Sequence, residues 1–224
     1  MSKRGQVTTF VILGIVILAI AIGVFYLTQN TRLGEIGSQF SEVANLPVEL
    51  QEEKTKIDEC LVEVLQEGVV ALGEQGGYLK NKPQKTAFYI GKDVAYLGSV
   101  SKENIEDELE DYVKENFGRC KDNLEVEDSA VKIENELIIA EAEMPVTLGS
   151  GDISARINRF NGELNFRLGT MLNIVENLRK DINCVSCLMD ETGKNNMKST
   201  INILDNAKII VIEDVNYAFG FAAD

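Results

Sequence analysis

From Phe10 to Leu27 the chain carries no charge and no strongly polar side chain. An α-helix rises 1.5 Å per residue, so a run of roughly 18 residues covers about 27 Å, close to the hydrocarbon thickness of a bilayer. Thr8, Thr9 and Thr28 extend such a helix to the interfaces, and Tyr26 falls in the outer headgroup belt. The run predicts a transmembrane helix over residues 10–28, in contact with the lipid bilayer and preceded by a short basic leader at 1–9. Lys3, Arg4 and the amino terminus lie before the span, whereas Arg32 and Glu35 nearly cancel after it. The N-terminus is therefore expected in the cytoplasm and the rest of the chain outside the cell. Two other fates are open to the same run. A cleaved secretory signal would use Ala19-Ile20-Ala21, but apolar Ile22-Gly23-Val24-Phe25 follows directly and the run exceeds the usual apolar region of about 7–15 residues. A buried helix of a soluble fold would need partners on every side.

Charge narrows what the exterior part can do. Acidic residues number 36 against 22 basic ones, for a net charge of -14. Phosphate backbones select basic grooves, and no Lys/Arg cluster with interleaved aromatics occurs, so no nucleic-acid partner is expected. Acidity suits solubility, cations or a basic partner. The chain has no histidine, which removes the commonest general base, the commonest zinc ligand and the usual partner of a Ser or Cys nucleophile. No catalytic residue, cofactor site or metal site is assigned.

The residues leading into the run carry a second signal. Lys3-Arg4-Gly5-Gln6-Val7-Thr8-Thr9-Phe10, followed directly by the apolar helix, resembles the class III signal peptides of archaeal type IV pilin-like proteins. The resemblance implies a prepilin peptidase that cuts between Gly5 and Gln6 and leaves the helix on the mature protein, where it anchors the chain or packs in a homo-oligomeric filament. Phe10 stands at the fifth mature position, where such pilins often carry glutamate. Cys60-Leu61 and Leu72-Gly73-Glu74-Gln75-Gly76-Gly77-Tyr78 are also similar to uncharacterised archaeal membrane-anchored proteins.

Beyond the span, Leu33, Ile36, Phe40 and Val43 recur at helical spacing. Residues 29–46 are expected to form a stalk or linker, weakened by Gly34 and Gly37 and broken by Pro47, whose stripe suits either a core or a second subunit. Residues 47–224 are expected to fold as one extracytoplasmic domain. Ile57, Cys60, Leu61, Val64, Leu65, Gly68 and Leu72 share one face of a long helix, which Gly73 and Gly76-Gly77 stop. Residues 87–90 and 94–97 predict a hairpin around Gly91-Lys92-Asp93. Ser101 caps a second helix that buries Ile105, Leu109, Tyr112, Val113 and Cys120, and whose acids at 106–108, 110 and 111 are expected on a solvated face. Strands are predicted at 130–133, 137–146, 153–160 and 164–168, with turns at Glu134-Asn135 and Asn161-Gly162. Helical spacing returns from Leu168 to about Ile182, and 200–204, 207–212 and 217–221 form a closing meander. The fold class is α+β, with two or three amphipathic helices and an antiparallel sheet.

All four cysteines, Cys60, Cys120, Cys184 and Cys187, follow the span and would meet an oxidising exterior. Of the three pairings available, Cys60 with Cys120 and Cys184 with Cys187 is preferred. The first two lie on the inward faces of two helices, and closing a loop of about 60 residues stabilises by roughly 4 kcal/mol. Buried unpaired thiols are the alternative. Cys184-Val185-Ser186-Cys187 also has the spacing of a redox dithiol or half a zinc knuckle. The second paired motif that zinc needs is missing, and a thioredoxin-like motif opens a helix just after a strand, whereas this one is expected to follow a helical run. The expected function is a membrane-anchored, non-enzymatic interaction or assembly module of the cell surface, pilin-like in its sharper form. The alternative is a membrane-tethered envelope enzyme, either a hydrolase built on carboxylates or a thiol oxidoreductase using Cys184 and Cys187.

Overall fold

The computed structural model describes residues 46–150, 153–180, 184–204, 207–215 and 217–223. The expected leader at 1–9, the span at 10–28, Gly5 and Gln6, and nearly all of the stalk lie outside the described residues. Among the described residues no helix is long and apolar enough to cross a membrane. The chain divides between Gln51 and Glu52 into two units, and the second, Glu52–Asp224, holds the domain.

Helix α1 (Val48–Gln75) begins directly after Pro47, whose carbonyl accepts the Leu50 and Gln51 amides. Within the domain Ile57, Leu61, Val64, Leu65, Val69 and Leu72 recur every three or four residues and are buried; each contributes roughly 1.5–3 kcal/mol by leaving water. The helix stops where Gly76 and Gly77 both take positive φ and the Gly77 amide donates to the Leu72 carbonyl at 3.0 Å, a Schellman ending.

Helix α2 (Lys102–Asn116) starts at Ser101, whose hydroxyl accepts the Asn104 amide at 3.2 Å. Ile105, Leu109 and Val113 are buried. Two of its acids depart from the expected solvated face. The Glu108 carboxylate is buried and accepts the backbone amides of Leu79 at 2.8 Å, Lys80 at 2.7 Å and Asn81 at 3.0 Å. Glu106 accepts the Ile133 amide at 2.7 Å. A backbone donor with no ladder partner needs an acceptor when it leaves water, and these carboxylates supply it.

Strands β1 (Thr86–Tyr89) and β2 (Lys92–Ala95) form a hairpin that turns over Ile90 and Gly91, both at positive φ. Strands β3 (Asp128–Ile133), β4 (Leu137–Ser150) and β5 (Ile153–Asn165) form an antiparallel sheet in that order. Ile138, Ala140, Ala142, Met144, Val146 and Leu148 alternate onto its buried face. The register shifts between Glu143 and Val146, at Pro145 and past the last β3 pair, Asp128 with Glu143. A proline cannot donate to a ladder, and a bulge is where a strand can carry one.

Asn161-Gly162 is not a turn. Both residues lie inside β5, opposite Glu141 and Ala140, and the two long strands instead run out to a Ser150–Ile153 pair. Gly162 is small for a packing reason: a Cβ there would stand 3.1 Å from Val62 Cγ2 and 3.3 Å from Leu61 Cγ, so its bare backbone lets α1 lie close on the sheet. The same contact holds a polar lock. Asp58 accepts the Asn161 amide at 3.1 Å and pairs with buried Lys54 at 2.6 Å, whose ammonium sits 5.4 Å from the Phe160 ring centroid.

Strands β6 (Lys198–Leu204), β7 (Ala207–Asp214) and β8 (Tyr217–Ala223) form the closing meander as a second antiparallel sheet. The buried Tyr217 hydroxyl donates to the Val69 carbonyl at 3.1 Å, and burial pushes its phenol far above the ordinary range. Tyr96, just past β2, bridges to Ala222 in parallel, which fixes the hairpin against the β8 edge.

Helix α3 (Leu168–Leu178) is followed by α4 (Val185–Lys194), a helix that sequence reasoning did not foresee. Arg167 ties this region to the sheet, donating to Asp214 at 2.7 and 2.8 Å and to the Asn195 carbonyl at 2.8 Å. That guanidinium holds the Asp214 carboxyl below its usual range. The domain is α+β, with four helices and three antiparallel sheets among the described residues.

Candidate functional site

The cysteines occupy two unlike settings. Cys60 on α1 is bridged to Cys120 in the short turn Phe117–Cys120 that follows α2, with Cα atoms 5.9 Å apart. Both residues are half-buried. Arg119 pairs with Glu67 at 2.6 Å and Lys121 with Glu53 at 2.8 Å on either side of the bridge. Its position is that of a staple between two packed helices.

Cys184 and Cys187 form the second bridge, with Cα atoms 5.2 Å apart. The motif follows α3 and not a strand, as expected, but it also opens α4, a helix start that the sequence reading did not include. Cys184 is the N-cap residue, and its Sγ accepts the Cys187 amide at 3.2 Å. Cysteine is not among the usual caps, so the sequence offers no start signal there. Ser186 Oγ lies 3.5 Å from the same sulfur. Val185, Ser186 and Cys187 are exposed. The free amides of a helix N-terminus carry about half a positive charge, which favours negative charge at Cys184.

An apolar groove of about 110 Å³ adjoins Cys184. Leu178 and Leu188 from the helices and Ile201, Ile203 and Ile210 from β6 and β7 line it, with Lys208 the charged member. Ile203 is 81% exposed and Met189, on the first turns of α4, 62%.

A second concavity, about 410 Å³, lies between the β1–β2 hairpin, the end of α1 and one face of the β6–β8 sheet. The Tyr89 hydroxyl accepts the Asn202 side-chain amide at 2.9 Å, and Lys92 pairs with Glu74 beside it. Thr200, Val211 and Gly220 line the sheet side. Sequence reasoning missed this cleft. Its signal was the placement of Thr200 and Asn202 on one face of a strand, since a face that alternates polar is not covered by core.

Among the described residues no group of three or more His, Cys, Asp or Glu side chains is placed to hold a metal ion. Gly5 and Gln6 lie outside the described residues. No protein-family model, curated protein or solved structure matches the chain. Its chemistry is concentrated at the exposed bridge and the cleft, which have different characters. The bridge offers two sulfurs at a helix N-terminus beside an apolar groove, and the cleft offers a hydroxyl, an amide and an ion pair over apolar walls.

Proposed function

We propose that the chain is a membrane-anchored cell-surface protein whose folded domain is an interaction module. The cysteine state carries this reading. Cys60 pairs with Cys120 and Cys184 with Cys187, and no cysteine is free among the described residues. Such pairs persist in oxidising compartments and are rare in a reducing cytosol. The uncharged run at 10–28 supports the same address, since a bilayer-length span with basic residues ahead of it sends the downstream chain to the outside. The Gly5-Gln6 pair adds the finer, pilin-like form, in which a prepilin peptidase trims the leader and leaves the helix in place. The module binds through the cleft at Tyr89 and Asn202, whose few convergent polar groups over apolar walls are the usual make-up of a small-ligand site. A net charge of -14 turns it toward neutral or cationic ligands.

External protease on intact cells tests the address. The expected result is loss of a domain epitope, with the intact protein in the membrane fraction of untreated cells. A protected epitope or a protein free in the soluble fraction overturns the reading. Gly5→Ala is expected to hold the protein at precursor mobility in cells that contain the peptidase. Mobility equal to wild type removes the pilin-like form and leaves the anchored one standing.

A further inference from the structure

We propose that Cys184 and Cys187 form a thiol–disulfide exchange site whose substrate is an apolar, cysteine-bearing polypeptide segment. This activity goes beyond the interaction-module reading and does not depend on it.

The two bridges differ in what can reach them. Cys60 and Cys120 are both half-buried between helices, whereas the second bridge joins half-buried Cys184 to Cys187, which stands exposed on the first turn of α4. The sulfurs of the exposed pair are themselves unequal. Cys184 Sγ receives the Cys187 amide at 3.2 Å and has the Ser186 hydroxyl 3.5 Å away, at the positive end of the helix. Helix N-termini hold a cysteine thiol below its free value, and a thiol of lower pKa is the better leaving group.

This inequality sets the direction of attack. A substrate thiolate attacks the exposed Cys187 Sγ and forms a substrate–Cys187 disulfide. The Sγ–Sγ bond breaks and its electron pair leaves on Cys184 Sγ, where the amide and hydroxyl receive the charge. A second thiolate of the same substrate attacks the substrate sulfur of the mixed disulfide and expels Cys187 as thiolate. Two electrons have moved: the substrate dithiol is now a disulfide and the Cys184/Cys187 pair a dithiol. The two protons lost by the substrate thiols are available to the new thiolates. The same steps in reverse, against a polypeptide disulfide, restore the bridge.

The groove beside Cys184 sets the preference for a polypeptide. Leu178, Leu188, Ile201 and Ile203 offer a seat for one apolar side chain. β6 is the outer strand of its sheet, with no described strand on its far side. An extended segment adds to such an edge through its backbone, leaving alternate side chains to fill pockets. A segment docked along β6 with an apolar residue in the groove carries its cysteine to the exposed bridge.

The test uses the purified full chain in mild detergent with both bridges formed. It is mixed with a reduced two-cysteine peptide flanked by Leu and Ile, or with dithiothreitol, and each cysteine is followed by differential alkylation and mass spectrometry. Cys184 and Cys187 are expected to open first while Cys60 and Cys120 stay bridged. Reaction with the peptide should run roughly tenfold faster than for an oxidised linear peptide of the Cys184-Val185-Ser186-Cys187 sequence, because only the folded chain has the helix terminus. Ile203→Ser should slow the apolar peptide roughly tenfold, the effect of losing one apolar contact, and change the dithiothreitol rate by less than about twofold, because it adds no charge beside Cys184. Bridges that open together, or a rate no greater than that of the linear peptide, overturn the exchange site. An Ile203→Ser variant that slows both reductants alike, or neither, overturns the role of the groove.

Discussion

Replacing Cys60 and Cys120 by alanine isolates what the half-buried staple does for stability. The bridge closes a loop of 60 residues, and in the chain-entropy model a loop of that size is worth about 4 kcal/mol at 25 °C. The Cys184–Cys187 bridge spans a separation of 3 residues, for which the same relation gives roughly 2 kcal/mol. Native contacts around the staple do not change this ranking, because the flanking pairs Arg119–Glu67 and Lys121–Glu53 are partly exposed and such pairs contribute little. The measurement is urea unfolding of the full chain in mild detergent at neutral pH, followed by circular dichroism. With a slope of about 2 kcal/mol per molar urea, the midpoint should fall by about 2 M for the Cys60→Ala/Cys120→Ala pair and about 1 M for Cys184→Ala/Cys187→Ala. The slope should also steepen in the first variant, since its unfolded chain is freed from a large covalent loop and exposes more surface. A larger fall for the short loop than for the long one would refute loop closure as the way these bridges act.

Three smaller perturbations probe the packing. Burial pushes the Glu108 carboxyl up, but the amides of residues 79–81 outweigh it and hold the group below its usual range. With a folded value below the unfolded one, its stabilisation is present above the unfolded carboxylate range and is lost as pH falls through the folded value. Glu108→Gln should cost about 2–4 kcal/mol at pH 7 and flatten the acid limb of a stability–pH profile; a profile parallel to wild type would contradict this. Gly162→Val puts two methyl groups against Val62 and Leu61 and should cost about 1–3 kcal/mol in a thermal melt. Ile90 is a β-branched residue at φ 47 on the hairpin tip, 80% exposed. Ile90→Asn creates the Asn-Gly pair that such turns favour and should stabilise by about 1 kcal/mol, read as a raised melting temperature.

Much of the fold could be read from periodicity. The stripe from Ile57 to Leu72, the Ser101 cap and the closing meander are all patterns whose cause lies within a few neighbouring residues. The failures have causes elsewhere in the chain. Asn161-Gly162 has the local chemistry of a turn, yet Gly162 answers to α1, about a hundred residues earlier in sequence. Glu108 lies in an acidic run that reads as solvated, and its burial depends on where the loop at 79–81 comes to rest. Cys184 caps α4 with a residue type that seldom caps, so the exposed bridge looked like a tail to α3. The cleft at Tyr89 and Asn202 joins residues 113 apart in sequence, which no local pattern can announce.

The bond from the Tyr217 hydroxyl to the Val69 carbonyl joins residues 148 apart. While the chain is being made, the Val69 carbonyl has no access to this donor until residue 217 has emerged, so α1 completes its partners through a contact of long sequence separation, the kind that is slow to form.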